Sequence, residues 1–87
     1  MIELKAGQLA EEYDTVSHNL LSVYLLLTTP REDGFEALCI FESVAGAGGQ
    51  LFNLPGETCK FAISLFNPGD SYWKIDNVKI NHSELRW

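Results

Sequence analysis

The sequence predicts an all-β fold, specifically an immunoglobulin-like antiparallel β-sandwich of about six or seven strands. Two observations lead to this prediction. Apolar runs of strand length recur along the chain, and turn sequences rich in Gly and Pro separate them. With 87 residues, 46% of them hydrophobic, the chain can form one domain with a small core but not two. We therefore expect a single domain over residues 1–87.

Three strands are predicted in the first half of the chain. Residues 2–6 alternate apolar and polar side chains, as a half-buried strand does. Residues 20–29 and 35–43 are nearly continuous apolar runs. The segment between them ends in Asp33-Gly34, a pair that readily adopts the positive φ angles of a hairpin turn. The two apolar runs are therefore expected to form an antiparallel hairpin.

The second half follows the same logic. A Pro-Gly turn at residues 54–57 precedes residues 58–66, which alternate cleanly, and a second turn at residues 67–70 leads into residues 72–81. These two stretches are expected to form a second hairpin. The apolar phase of the last stretch slips at Asp76-Asn77, which indicates a β-bulge or a tight turn there.

A competing interpretation places an amphipathic helix around residues 8–27. Apolar side chains recur there at helical spacing: Leu9, Tyr13, Val16, Leu20, Val23, Tyr24 and Leu27. Against a helix, Leu21, Leu25 and Leu26 fall outside that stripe, and residues 14–19 contain poor helix formers. We favour strand or loop for residues 16–27. A helix would instead make the fold α+β.

The glycine-rich segment 45–49 invites comparison with a phosphate-binding loop. No Gly-Lys-Ser/Thr sequence follows it, and no strand-to-helix transition surrounds it. A connecting loop is the simpler interpretation.

The charge balance argues against two classes of partner. Twelve carboxylates face six Lys and Arg residues, for a net charge of −6. Nucleic acids and anionic membranes both require cationic groups to neutralise phosphate, so we expect neither as a partner. Most of the carboxylates lie in residues 1–42, where they could form a solvated surface or an acidic face for a basic partner.

The N-terminal residues lack the charged and apolar regions of a signal peptide. The expected location is therefore cytoplasmic or virion-associated, or extracytoplasmic if a leader was removed.

Residues 54–58 (LPGET) and the alternating residues 59–65 resemble the later strands of small bacterial immunoglobulin-like modules of the CARDB and FxLYD type. The resemblance extends over residues 49–80, about a third of the chain. Residues 73–80 (WKIDNVKI) also resemble the closing strand of carbohydrate-binding jelly rolls. Both resemblances imply a binding or scaffold module and supply no catalytic residues.

Few residues suggest chemistry. Cys39 and Cys59 lie on different predicted strands and could face each other across a sandwich, although two buried, reduced thiols are the expected state without a leader. Neither the cysteines nor His18 and His82 occur in the close pairs typical of zinc sites, and nothing local joins a nucleophile to a base. We expect no metal, no cofactor, no catalytic residue and no enzymatic activity.

The excess of apolar and aromatic residues is the stronger functional signal. A core of this size cannot hold them all, and residues 20–27 are apolar on both faces. The candidate binding residues are Leu25, Leu26, Phe66, Tyr72, Trp73 and Trp87.

They predict a non-enzymatic protein-interaction module, either self-associating as a homo-oligomer or an acidic adaptor or inhibitor of another protein. One alternative is a carbohydrate-binding module in which Tyr72 and Trp73 stack on sugar. The other is a small hydrolase or isomerase that uses one of the histidines.

Overall fold

The computed structural model describes residues 2–43, 53–66, 69–81 and 85–86. Its strands are β1 (Ile2–Glu3), β2 (Leu9–Asp14), β3 (Leu20–Leu26), β4 (Phe35–Glu42), β5 (Thr58–Phe61), β6 (Ser71–Ile75), β7 (Val78–Lys79) and β8 (Leu85–Arg86). A short 3₁₀ helix, Ile63–Phe66, lies between β5 and β6. The glycine-rich segment 45–49 lies outside the described residues.

Six of the strands form one antiparallel sheet in the order β5-β4-β3-β2-β6-β7, while β1 and β8 pair in parallel. The all-β prediction is confirmed. The described residues contain no helix long and apolar enough to cross a membrane.

The helical alternative for residues 8–27 is wrong. This region forms β2 and β3, which pair in antiparallel register with Leu9 opposite Leu25. A bulge between Glu12 and Tyr13 interrupts the register, and the turn between the strands places His18 at φ 61°. Apolar side chains on both faces of β3 account for the spacing that imitated a helix.

The first predicted hairpin is confirmed, since β3 pairs with β4. Arg31 and Gly34 close its turn through two backbone hydrogen bonds of 3.2 and 2.9 Å. Gly34 has φ 114°, and a Cβ atom there would lie 2.5 Å from the carbonyl oxygen of Phe61. Glycine is thus required at this position by both the backbone angle and the close approach of β5.

The second predicted hairpin is wrong. Strand β5 ends at Phe61 and pairs with β4, whereas β6 pairs with β2, so three strands lie between β5 and β6. The chain leaves β5 through the 3₁₀ helix, which buries Phe66 against the sheet. The phase slip at Asp76-Asn77 is a tight turn, as expected: both residues have positive φ, 50° and 67°, and connect β6 to β7.

The hydrophobic core covers one face of the sheet, here called the inner face. Its buried side chains are Leu4, Ala10, Tyr24, Leu26, Phe35, Ala37, Cys39, Phe66, Trp73, Ile75 and Ile80. Aromatic rings fill its centre: Phe66 stacks on Phe35 and meets Trp73 edge-on, with centroid distances of 5.3 Å in both pairs. The chain therefore covers the inner face with its own 3₁₀ helix and terminal segments.

Candidate interaction surface

The opposite side of the sheet carries a second apolar surface. Cross-strand register places Leu9, Leu25 and Leu38 in one row across β2, β3 and β4. The adjacent row pairs Val23 with Phe41. We call the surface formed by Leu9, Val23, Leu25, Leu27, Leu38 and Phe41 the outer face.

The outer face is accessible to solvent. Leu9 is 47% exposed and Phe41 41% exposed, and the neighbouring Ile40 at the β3–β4 bulge is 46% exposed. Leu25, Val23 and Leu38 are half-buried. Because adjacent side chains in a sheet shield one another, this partial burial is compatible with a face that no described segment covers.

Lysines occupy both edges of the outer face. Lys60 lies opposite Glu36 at the β5 edge, and Lys74 lies between Glu11 and Lys79 at the β6–β7 edge. This face therefore combines three lysines with two glutamates in a chain whose net charge is −6.

One corner of this side is aromatic. The rings of Tyr13 and Tyr72 stack across β2 and β6 with centroids 5.5 Å apart and 18° between their planes. Lys74 and Lys79 lie over these rings at 5.2 and 4.7 Å. His18 approaches from the β2–β3 turn, with Nδ1 2.9 Å from the Tyr72 hydroxyl.

The tyrosine–lysine contacts hold this corner in a defined arrangement. Desolvation, followed by the charge of Glu11, raises the pKa of Tyr13 above its ordinary value. Tyr13 is therefore neutral at physiological pH. The corner is an amphipathic border to the outer face.

The structure separates the predicted binding residues into three groups. Leu25 lies on the outer face and Tyr72 in its aromatic corner. Leu26, Phe66 and Trp73 are only 1%, 4% and 2% exposed, which corrects the expectation that they contribute to a surface. Trp87 lies outside the described residues.

Strand alternation explains the correction for two of these residues. Leu26 lies opposite Ala37 on β4, and Trp73 lies opposite Glu12 on β2. Both side chains are therefore on the inner face, where they join the core. Leu9, Leu38 and Phe41 belong to the outer face but were missed. Leu38 and Phe41 belong to the apolar run 35–43, and Leu9 is an isolated apolar residue. Only the strand register shows that these three side chains lie on the same face as Leu25.

The inner face ends in a polar cluster around Asn53. Its Nδ2 donates to the Tyr24 hydroxyl at 2.9 Å, and its Oδ1 accepts from the Cys59 thiol at 2.8 Å. Tyr24 in turn donates to Glu42 at 2.8 Å. Nearby, Glu12 accepts hydrogen bonds from the hydroxyls of Ser22 and Ser71 at 2.8 and 2.7 Å.

Both cysteines are free thiols within this part of the fold. Cys39 is buried, as expected, whereas Cys59 is half-buried. They lie on the adjacent strands β4 and β5 rather than across two sheets. Desolvation is the main cause that raises the pKa of each thiol.

The described part of the chain contains no group of three or more His, Cys, Asp or Glu side chains placed to hold a metal ion. Every buried polar side-chain atom described there has a hydrogen-bond partner. The polar cluster is thus internally satisfied, a property typical of a structural network.

No protein-family model matches the chain, and no solved structure matches it significantly. The chain is similar to the mitochondrial peptide chain release factor 1 of Arabidopsis thaliana, with 30% identity over 91 aligned residues. That alignment covers 99% of this chain and 20% of the release factor. The chain thus spans about a fifth of the length of this relative.

Proposed function

We propose that this domain is a non-enzymatic protein-interaction module that associates with a second copy of itself through the outer face. The observation that carries the proposal is the open apolar row of Leu9, Leu25 and Leu38. The same sheet buries its inner face under its own chain, whereas the described residues leave the other face of this two-sided apolar sheet accessible.

A second sheet is a suitable cover for such a face. Two sheets stack about 10 Å apart with side chains interdigitated, and the twist of each sheet sets their relative angle. Strand β3 lies near the centre of the six-stranded sheet, so two copies can meet through the same apolar rows. A two-fold interface requires this kind of self-complementary patch.

The size of the face indicates a weak, concentration-dependent dimer. Six strands about 4.8 Å apart and about 17 Å long give a flat area of roughly 500 Å². If about half of that area is apolar, covering it on two chains contributes roughly 12 kcal/mol. This is comparable to the cost of association, about 4–15 kcal/mol. The charged edges then form a hydrated rim around the apolar rows.

The carbohydrate alternative has less support. Trp73 is 2% exposed and cannot form a sugar platform with Tyr72 in this fold. The ring of Tyr72 stacks on Tyr13, and the ammonium group of Lys79 lies over the same ring. These contacts favour an aromatic border to a protein interface over a free stacking surface.

Light scattering coupled to size exclusion, over a wide range of protein concentrations, tests the proposal. We expect the wild-type mass to rise from 9.7 kDa towards twice that value. Leu25→Glu and Leu9→Glu should both hold the mass at the monomer value, because each places a carboxylate in the apolar row. Leu54→Glu is the matched control, since Leu54 is 58% exposed in the turn before β5 and lies outside these rows.

A wild-type protein that stays monomeric at millimolar concentration would contradict self-association. A Leu54→Glu variant that dissociates as readily as Leu25→Glu would contradict the outer face as the interface. Circular dichroism of each variant establishes that it remains folded.

A further inference from the structure

A concave feature lies at one corner of the sheet, between the β3–β4 turn and the end of β5. Its volume is about 420 Å³, within the usual range for small-molecule sites. The residues that line it are Thr28, Thr29, Arg31, Asp33, Gly34, Phe35, Glu36, Lys60 and Phe61. We call it the turn groove.

The turn groove brings together two cations and two carboxylates. Arg31, Lys60, Asp33 and Glu36 all line it. In the part of the chain that the structure describes, none of these four side chains makes an ion pair or a side-chain hydrogen bond. Lys60 and Glu36 even lie directly opposite each other on β5 and β4 without closing to a salt bridge. Both signs of charge are therefore available to a ligand.

Hydroxyl groups add further donors. The Thr28 hydroxyl oxygen accepts the backbone N–H of Glu36 at 2.8 Å, and that of Thr29 accepts the N–H of Ala6 at 3.4 Å. Each hydroxyl keeps its own O–H proton available for donation. An anionic group beside Arg31 can thus be bound by a guanidinium and by neutral donors.

The walls of the turn groove are held in place. The Arg31–Gly34 turn is closed by reciprocal backbone hydrogen bonds, and Pro30 before it is almost fully buried. Gly34 packs so closely on Phe61 that no side chain fits between them. Because the turn that carries Arg31 and Asp33 is fixed against β5, a ligand would meet a preformed site at low entropic cost.

We infer that the turn groove binds a small zwitterion of amino-acid to dipeptide size. A purely anionic ligand would meet repulsion from Asp33 and Glu36, and a purely cationic one would meet it from Arg31 and Lys60. A molecule with a carboxylate and an ammonium group satisfies both pairs. The carboxylate binds Arg31 or Lys60, and the ammonium binds Asp33 or Glu36.

Backbone amide NMR with the dipeptide Gly-Phe as the probe tests this inference. We expect saturable shifts at the amides of Thr28, Gly34 and Glu36. N-acetyl-Gly-Phe lacks the ammonium and Gly-Phe amide lacks the carboxylate, so each should bind about tenfold more weakly. Arg31→Gln and Glu36→Gln should each weaken Gly-Phe binding by a similar factor, and the spectra themselves report whether these variants remain folded.

Lys79→Gln is the matched control, because Lys79 lies on the strand at the opposite edge of the sheet and should leave binding unchanged. Absence of shifts with Gly-Phe at tens of millimolar would overturn the inference. So would a derivative lacking one charge that binds as tightly as Gly-Phe itself, or an Arg31→Gln variant that binds as well as the wild type.

Discussion

The hydroxyl of Tyr24 donates a hydrogen bond to Oε2 of Glu42 at 2.8 Å, at the end of the inner face. Desolvation raises the pKa of Glu42, the Tyr24 hydrogen bond acts in the opposite direction, and the charge of Glu12 raises it further. Folding therefore favours the protonated carboxyl. This relationship makes stability dependent on pH in a direction that can be predicted.

We predict that Glu42→Gln stabilises the domain at neutral pH. A raised folded-state pKa gives stability that is present below the unfolded pKa of Glu42 and is lost as pH rises through the folded pKa. Glutamine keeps an acceptor for Tyr24 without a charge. The melting temperature should rise by a few degrees at pH 7, and the gain should disappear near pH 4.

Glu32→Gln is the control for this experiment, since Glu32 is exposed in the β3–β4 turn. It should leave the melting temperature within about one degree of the wild type at both pH values. A Glu42→Gln variant less stable than wild type at pH 7 would show that the hydrogen bond outweighs desolvation.

The turn between β2 and β3 has the opposite pH dependence. Oδ1 of Asp14 accepts the backbone N–H groups of Val16 and Ser17 at 2.9 and 2.8 Å. The hydrogen bond from Ser17, then that from Val16, lowers the pKa of Asp14. A depressed pKa gives stability that is present above the unfolded value and lost as pH falls through the folded value.

Asp14→Ala should therefore lower the melting temperature at pH 7 and have a smaller effect in strong acid. Thermal unfolding between pH 2 and pH 7 measures this. Asp33→Ala is the matched control, because no hydrogen bond to the Asp33 side chain occurs in the described structure. Equal effects of the two substitutions across the pH range would contradict the role assigned to Asp14.

Two glycines with similar backbone angles allow steric contact to be separated from backbone strain. Gly34 and Gly56 have φ values of 114° and 91°. A Cβ at Gly34 would lie 2.5 Å from the carbonyl oxygen of Phe61, whereas one at Gly56 would meet nothing within 4 Å. Both substitutions with alanine incur the cost of positive φ, and only one adds a collision with backbone.

Gly56→Ala should cost about 1 kcal/mol of unfolding free energy, and Gly34→Ala roughly 3 kcal/mol or more. Urea denaturation measures both values. Equal losses would show that the turn moves away from β5 without cost, which would also weaken the argument for a preformed turn groove.

The elements that sequence analysis located correctly are those fixed by local chemistry. Asp33-Gly34 and its flanking apolar runs specify the first hairpin within about twenty residues of chain, and Asp76-Asn77 specifies a tight turn by itself. The prediction of the second hairpin was wrong because a Pro-Gly turn sequence does not determine which strand the following segment pairs with. The pairing of Ala10 with Ile75 depends on contacts 65 positions apart along the chain.

For the candidate surface too, local sequence predicted one residue, whereas its neighbours depend on contacts between distant parts of the chain. Leu25 was predicted because β3 is apolar on both faces, which is visible in one short stretch of sequence. Its neighbours Leu9 and Leu38 come from two other strands and become adjacent only through register. Which of Leu25 and Leu26 faces outward depends on that register as well, because one step along a strand reverses the side.

The two thiols should differ in their accessibility to an alkylating reagent. Cys39 is completely buried, whereas Cys59 is half-buried and donates to Asn53 at 2.8 Å. Alkylation requires the thiolate, and the raised pKa of each thiol keeps both protonated at neutral pH. We expect slow modification of Cys59 in the native protein and modification of Cys39 only on unfolding.

Mass spectrometry after iodoacetamide treatment, with and without denaturant, resolves the two positions. Cys59→Ser should leave a native protein that gains almost no label, while Cys39→Ser should label at the wild-type rate of Cys59. Asn53→Ala should accelerate labelling of Cys59, because it removes the side-chain acceptor that holds this thiol. Faster labelling of Cys39 than of Cys59 would contradict the burial described here, since a thiol sealed inside the core can react only when β4 separates from its neighbours.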